Sequence, residues 1–438
     1  MPTRRPPRTR ARRWQPRLHL AVALALLAVG APPQWAAAEP QLAEEAPHAA
    51  LDTWPLWVEA GRAGSASVLG ADGSVWWVDT RAPDAAVRLL RNAVGEQLTA
   101  CGPALLVIDE RGRLRRVPRA PDLPVISAVG PAVSRYHKPL CLADGSVLAL
   151  DPNGALLLLG RELELRAQAP LAALPDAELV LLEHAGVALV AIPTAPTQRY
   201  RHGTLGDEVE AGSLTLLRLP DLRVLDVWQA PPPAVIETRR AEVWRSADAV
   251  GIDLVVSDEH GGAQLQRLLL DGERLAPLAA GAPLGASQRW LHPIGSIDAL
   301  TYAVHDPRTP GPLVRYAPAD GGETLAYQTL ASGLASHVDG ERLLDRARVV
   351  GTLEGGAHLL VVPSANQRAV HWLGCGASGC ETLRVDPLPS GLSTNLSTAA
   401  ANGVVEAVVA AERDGTLWWF TLPAPLATDA TAPDPSRR

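Results

Sequence analysis

From residue 54 onward the chain repeats one phrase: a short apolar run, a turn rich in Asp and Gly, then a second apolar run. Clear copies are Ser67-Val68-Leu69 with Asp72-Gly73 and Val75-Trp76-Trp77-Val78, then Ala104-Leu105-Leu106-Val107-Ile108 with Arg111-Gly112. Leu140-Cys141-Leu142 with Asp144-Gly145 and Val147-Leu148-Ala149-Leu150 is the next. Later copies centre on Val187–Val190, Leu254–Val256, Leu300–Val304, Leu359–Val362 and Val408–Ala410. Asp-Gly between apolar runs is a hairpin signal, because Gly accepts the positive φ of a tight turn. The two ends match almost literally: Ala71-Asp72-Gly73-Ser74-Val75-Trp76-Trp77-Val78 against Arg413-Asp414-Gly415-Thr416-Leu417-Trp418-Trp419-Phe420.

The runs are short, interrupted by 37 Gly and 39 Pro, and lack the i, i+3, i+4 rhythm of a helix. Leu171–Leu182 contains Pro175 and reads as a loop leading into a strand. The spacing of the eight copies brackets the about 40–50 residues of a propeller blade. The pattern therefore predicts an all-β chain, a seven- or eight-bladed β-propeller of four-stranded antiparallel blades. Stacking such sheets in a ring buries faces that no single sheet can cover alone. Whether the first hairpin stands alone or completes the last blade decides the count.

Val243-Trp244-Arg245-Ser246-Ala247-Asp248-Ala249-Val250-Gly251-Ile252-Asp253-Leu254-Val255-Val256 resembles the FG-GAP (VCBS) repeat of integrin-alpha-like propellers. Ala347–Ser364 and Gly403–Trp419 follow the same outline. The resemblance implies a propeller that serves as a binding scaffold, with Ca²⁺ held by an Asp-rich loop. Here that loop offers only Asp248 and Asp253, a thin start for a cation that wants six or more oxygens. Ca²⁺ is the one cofactor the resemblance brings in, at Asp248 and Asp253.

The N-terminus changes the picture of where such a ring works. Seven arginines up to Arg17, an apolar run Leu18–Gly30 and Ala36-Ala37-Ala38 before Glu39 form the three parts of a secretory signal. The organisation expected is a signal peptide 1–38, a linker 39–53, the propeller 54–422 and a disordered tail 423–438. The address is periplasmic or extracellular, with no membrane span after cleavage. Removing residues 1–38 leaves 33 Lys+Arg against 47 Asp+Glu, a net of −14, which disfavours nucleic acid as a partner. In an oxidising compartment the four cysteines allow three pairings. Cys375-Gly-Ala-Ser-Gly-Cys380 reads as a closed hairpin tip, leaving Cys101 with Cys141 across neighbouring repeats; a redox or metal pair is the rival.

One segment breaks the rhythm. Arg199-Tyr200-Arg201-His202-Gly203-Thr204-Leu205-Gly206-Asp207-Glu208-Val209-Glu210 lies between apolar runs and is polar, with an aromatic, a histidine and both charges. Long loops on a rigid scaffold concentrate function. Arg199 and Arg201 suit an anionic group, Tyr200 and His202 stacking or hydrogen bonding, and Asp207, Glu208 and Glu210 a cation or polar group. A solvated insertion is the plain alternative. No Gly-x-Ser-x-Gly, His-Glu-x-x-His or phosphate-binding Gly loop occurs, and no catalytic residue is assigned. Trp76-Trp77 and Trp418-Trp419 put one ring on each face of a strand; one ring of each pair is expected between blades, and the other either packs in the core, the favoured reading, or lines the face of the ring as a sugar-stacking platform. The expected function is an exported, non-enzymatic ring that binds a protein or glycan of the cell envelope through one face. The alternative is a glycan hydrolase or lyase with its site near residues 199–212.

Overall fold

The computed structural model describes residues 48–61, 64–79, 82, 86–95, 97–123, 127–171, 173, 177–184, 187–194, 212–231, 234–257, 263–281, 291–305, 313–319, 324–331, 347–364, 366–393, 395–401 and 404–427. The chain divides into Met1–Glu39 and Pro40–Arg438, and all described residues belong to the second part. The signal segment 1–38 lies outside them.

Strand β1 (His48–Ala50) stands apart from the strands that follow it. The first unit is β2 (Pro55–Ala60), β3 (Ser65–Gly70), β4 (Val75–Asp79) and β5 (Val87–Leu90). The second is β6 (Thr99–Cys101), β7 (Ala104–Ile108), β8 (Arg113–Pro118) and β9 (Ala128–Ala132). The third is β10 (Leu140–Cys141), β11 (Val147–Leu150), β12 (Leu156–Leu159) and β13 (Leu165–Ala169). The fourth is β14 (Val180–His184), β15 (Val187–Thr194), β16 (Ser213–Arg218) and β17 (Arg223–Gln229). The fifth is β18 (Val235–Arg245), β19 (Val250–Ser257), β20 (Ala263–Asp271) and β21 (Arg274–Gly281). The sixth is β22 (Leu291–Ile297), β23 (Leu300–His305), β24 (Leu313–Ala319) and β25 (Thr324–Ala331). The seventh is β26 (Arg348–Thr352), β27 (His358–Pro363), β28 (Ala369–Gly376) and β29 (Gly379–Pro387). The last is β30 (Ser397–Ala401), β31 (Val404–Ala411) and β32 (Thr416–Thr421), to which β1 adds the fourth strand.

The first seven units are antiparallel meanders in chain order, and the last is one with β1 as its outer strand; the fifth and sixth share a parallel pairing of β21 with β25 at Ala280–Thr324 and Gly281–Leu325. Each second strand lies between two strands of its own sheet and between two neighbouring sheets. With both faces covered it reads as a continuous apolar run, as Ala104–Ile108 and Val147–Leu150 do. Fourth strands carry much of the exposed apolar surface, including Val87, Leu165, Val224 and Val227, and form the outer rim.

Hydrophobic clusters fill the seams in order around the ring. One joins Leu69 and Val75 to Leu105 and Val107, and the next joins Leu106 and Leu114 to Val147 and Leu159. Others join the third unit to the fourth, the fourth to the fifth, the fifth to the sixth and the sixth to the seventh. The seventh meets the last through Val361 and Val408, and the last returns to the first through Val409, Leu417, Val58 and Val68. The circuit closes on itself. At the closing seam Val58 donates its N–H to Asn395 Oδ1 at 2.8 Å, while Asn395 Nδ2 donates to the Val58 carbonyl at 2.7 Å. A side-chain amide thus satisfies a buried strand edge that has no strand partner.

Two boundaries differ from the sequence reading. Residues 48–50, expected in the linker, pair with β32 as His48–Trp418, Ala49–Leu417 and Ala50–Thr416. Three residues without a hairpin of their own carry too weak a pattern to be read as a strand. Residues 423–427 were expected in the tail, yet Ala424 and Leu426 pack on the seam of the seventh and last units, and the Ala427 N–H donates to the Thr352 carbonyl at 2.7 Å. Leu171 and Ala177–Leu179 precede β14 outside any strand, as expected.

Both rings of the Trp418-Trp419 pair pack in seams, Trp418 against the seventh unit and Trp419 against the first. Trp76 joins the same seam as Trp419. In a ring both faces of a sheet meet a neighbour, so neither face is free to present an aromatic platform. The disulfides are Cys101–Cys141, joining the first strands of the second and third units, and Cys375–Cys380, closing the β28–β29 hairpin.

Candidate functional site

Alternating strand direction sorts the loops onto two faces. Turns between second and third strands, and the connections from one unit to the next, leave from one face. Turns between first and second and between third and fourth strands leave from the other. On the first face the repeated Asp/Gly turn is stitched to the connection of its own unit: the Gly73, Gly112, Gly154 and Gly415 carbonyls accept from the N–H of Ala93, Val133, Ala173 and Leu51. Asp72, Asp109, Asp151 and Asp414 brace these turns by accepting backbone N–H groups through their side chains. Gly154 (φ 82°) and Gly415 (φ 92°) cannot be replaced cheaply, since a Cβ on either would lie 2.1 Å from a carbonyl oxygen.

The fourth unit keeps this stitch, its Gly212 carbonyl accepting from the Ala230 N–H at 3.0 Å, and lengthens the turn before it. Its chain leaves the first face at Thr194 and returns at Ser213, and the base is closed by hydroxyls: Thr194 Oγ1 meets Ser213 Oγ, and Thr215 Oγ1 at 3.3 Å. Arg199, Tyr200, Arg201, His202, Asp207, Glu208 and Glu210 all belong to residues 195–211, which lie outside the described residues. The described ends, Thr194 and Ser213, lie at the first face.

The same face carries the connection from β9 to β10. Its Ser134 N–H donates to the Leu150 carbonyl at 2.8 Å, and Thr99 Oγ1 donates to the Pro139 carbonyl at 2.9 Å. His137 is buried, with Nδ1 3.1 Å from the Ala177 carbonyl. That contact requires Nδ1 to carry the proton, and Nε2 is left buried without a partner. Burial pushes the His137 pKa down to about 4, against a smaller upward pull from the Ala177 carbonyl. The folded state therefore loses stability as pH falls from the ordinary imidazole value toward 4, and no more from this group below that. The whole step is about 3 kcal/mol. His137→Gln, which does not titrate, is expected to lose less stability than the wild type between pH 7.5 and 4.5 in urea melts. Part of the wild-type slope will remain, because burial also lowers His358 and His371. Equal slopes for both proteins would remove His137 from the account.

The predicted metal residues are not brought together as a cation site. Asp248 lies in an exposed turn after Arg245. Asp253 is fully buried and binds Arg267 in two places, Nε to Oδ1 at 2.8 Å and Nη2 to Oδ2 at 2.7 Å, with Thr301 Oγ1 also donating to Oδ2. Its oxygens are taken by a guanidinium and a hydroxyl, which leaves a cation no place. Among the described residues no group of three His, Cys, Asp or Glu is placed to hold a metal. Arg267 continues into the sixth unit, donating to the Ala299 carbonyl at 2.9 Å and to Thr301 Oγ1 at 3.1 Å, and lies over the Trp244 ring.

Asp298 and Ala299 form the β22–β23 turn, both with positive φ (49° and 61°). Two successive left-handed residues that are not glycine are strained unless their surroundings hold them, and Arg267 does so. The turn sets Asp298 Oδ2 3.3 Å from His358 Nε2, and His358 Nδ1 lies 2.8 Å from the Tyr302 hydroxyl. Burial is the main cause of a lowered His358 pKa, opposed by Asp298; burial likewise raises Tyr302, opposed by Arg315. Tyr302 is fully buried and His358 nearly so. This carboxylate–imidazole–phenol chain ties two units together across a seam, with Tyr302 and His358 buried and the Asp298 carboxylate at its exposed end. Its members come from separate repeats, so no local spacing announces it.

No known protein family matches the sequence, and no curated protein is similar to it. Solved structures do resemble the fold. The computationally designed Ika8 protein aligns at 10% identity over 85% of this chain and 98% of its own, with a TM-score of 0.51. The quinohemoprotein alcohol dehydrogenase of Comamonas testosteroni aligns at 12% identity over 89% of this chain and 78% of its own, also with a TM-score of 0.51. At such identities the likeness shows the fold alone: a β-propeller.

Proposed function

We propose that this chain is an exported, eight-bladed, non-enzymatic β-propeller that binds a cell-envelope partner, protein or glycan, through its first face. Two disulfides, of the kind that persist in oxidising compartments, support export. Among the described residues no helix is long and apolar enough to cross a membrane. Six four-stranded sheets and an eight-stranded pair of meanders support the blade count. The FG-GAP-like segments Asp253–Val256 and Leu359–Val362 fall on the equivalent second strands β19 and β27, in keeping with a repeat scaffold of that kind.

The observation that carries the reading is the fourth unit. Where the first, second, third and last units use a short turn braced by Asp72, Asp109, Asp151 or Asp414, its strands end at Thr194 and resume at Ser213 over a closed hydroxyl base, with Arg199–Glu210 between them in the sequence. A rigid ring with an enlarged loop between two strands of one unit is an arrangement that displays a recognition segment.

Replacing residues 195–212 with the Asp151-Pro152-Asn153-Gly154 turn sequence tests it. Shortening the loop this much lowers its closure entropy, so the variant is expected to fold and to gain about 1 kcal/mol. Its binding to an isolated envelope fraction is expected to fall to background, measured by sedimentation with residues 39–438 as the control. A variant that still binds as the wild type does would overturn the assignment to this loop. Release of reducing or unsaturated sugar ends by the wild type, lost in the variant, would replace the binding reading with a glycan hydrolase or lyase.

A further inference from the structure

The β9–β10 connection presents Arg135, Tyr136 and Lys138 to solvent above the buried His137. Lys138 is the only lysine among the 438 residues. Its Nζ lies 4.9 Å from the centre of the Trp57 ring, which belongs to the first strand of the first unit. The Arg135 guanidinium lies 4.7 Å from the centre of the Tyr136 ring and donates to the Tyr136 hydroxyl. Among the described residues neither cation has a carboxylate partner. Trp54, 56% exposed, stands just before β2 at the same face.

The two cations lie three positions apart on one short connection. Each is held over an aromatic ring, so its stem is ordered in advance and little freedom is lost on binding. The backbone beneath them is pinned at Ser134, His137 and Pro139. The overall charge repels dense polyanions at long range, so an anion held here must be engaged at short range. Exposed aromatic surface beside the cations adds a stacking partner for a flat, hydroxyl-rich ring.

We infer that Arg135, Tyr136 and Lys138 form a binding site for an acidic glycan, with Arg135 and Lys138 pairing carboxylates on the sugar. The inference rests on the first-face reading above and names the chemistry of what that face holds. The site uses none of residues 195–211, which makes the two separable.

The test uses residues 39–438, a galacturonic acid oligomer, a neutral glucan oligomer of equal length and a poly-glutamate peptide. Acylation of the single lysine, followed by peptide mapping, reports occupancy directly, and titration calorimetry reports affinity. The acidic oligomer is expected to protect Lys138 and to bind more weakly as salt rises. The double variant R135Q/K138Q is expected to lose at least about tenfold in affinity, with its melting temperature unchanged. No protection at millimolar acidic oligomer would overturn the inference, as would equal protection by the neutral oligomer or by poly-glutamate. If R135Q/K138Q binds the envelope fraction and the acidic oligomer as tightly as the wild type, this inference fails while the 195–212 reading stands.

Discussion

Replacing Arg267 with Met is expected to destabilise the protein by about 3–5 kcal/mol. Arg267 and Asp253 are 1% and 0% exposed, and the two-point contact between them satisfies both Asp253 oxygens. Removing the guanidinium leaves a carboxylate buried without a counter-charge, and that desolvated charge, more than the lost attraction, sets the size of the effect. The same change frees the Ala299 carbonyl and the strained Asp298–Ala299 turn, so the His358–Asp298 contact is expected to weaken with it. The double variant Arg267→Met with Asp253→Leu is expected to recover most of the loss, because a buried pair contributes little beyond an apolar replacement of similar volume. Denaturant midpoints of the two variants measure this. A single variant within about 1 kcal/mol of the wild type would show that Asp253 is not held as described.

Removing the Cys101–Cys141 bridge by a double alanine substitution is expected to reduce stability by about 4 kcal/mol. The bond closes a loop with a sequence separation of 40, and restricting a loop of that size in the unfolded chain is worth about that much. Cys375 and Cys380 are separated by 5, and their removal is expected to cost only about 2 kcal/mol. The order is the point of the measurement. The first bridge joins two units beside the seam of Leu106, Leu114 and Val147, whereas the second only closes a hairpin that its own ladder already aligns. Urea melts of both pairs decide it, and a larger loss at Cys375–Cys380 would contradict the account.

The repeat was open to reading along the chain because of where second strands sit. Ala104–Ile108, Leu189–Ile192, Leu254–Val256 and Leu359–Val362 are covered on both faces, and such strands are written as unbroken apolar text. Fourth strands such as β5 and β17, half in solvent, carry mixed sequences and were not legible. The turns were legible for a different reason: positive φ and a carbonyl within reach of a Cβ leave only glycine at Gly73 and Gly415. Both disulfide pairings followed from the hairpin tip and from elimination among four cysteines.

The candidate chemistry was less legible. Asp253 looked like a cation ligand because its partner Arg267 lies on the next strand, at a position that carries no motif. Tyr302 and His358 are 56 residues apart and meet only because the ring sets the sixth and seventh units side by side. Lys138 and Trp57 come from the second connection and the first unit, and nothing near either residue points to the other.

By itself, then, the sequence determined an all-β repeat of short hairpins, its turn positions, its cysteine pairs and the one segment that interrupts the rhythm. These depend on neighbours a few residues away, where strand period and turn geometry act directly. Tertiary structure alone decided that β1 closes the last unit, that Asp253 is spent on Arg267, and that Lys138 stands over Trp57 of another unit. Those depend on which units the closed ring makes adjacent, and adjacency across a seam leaves no periodic trace in the chain.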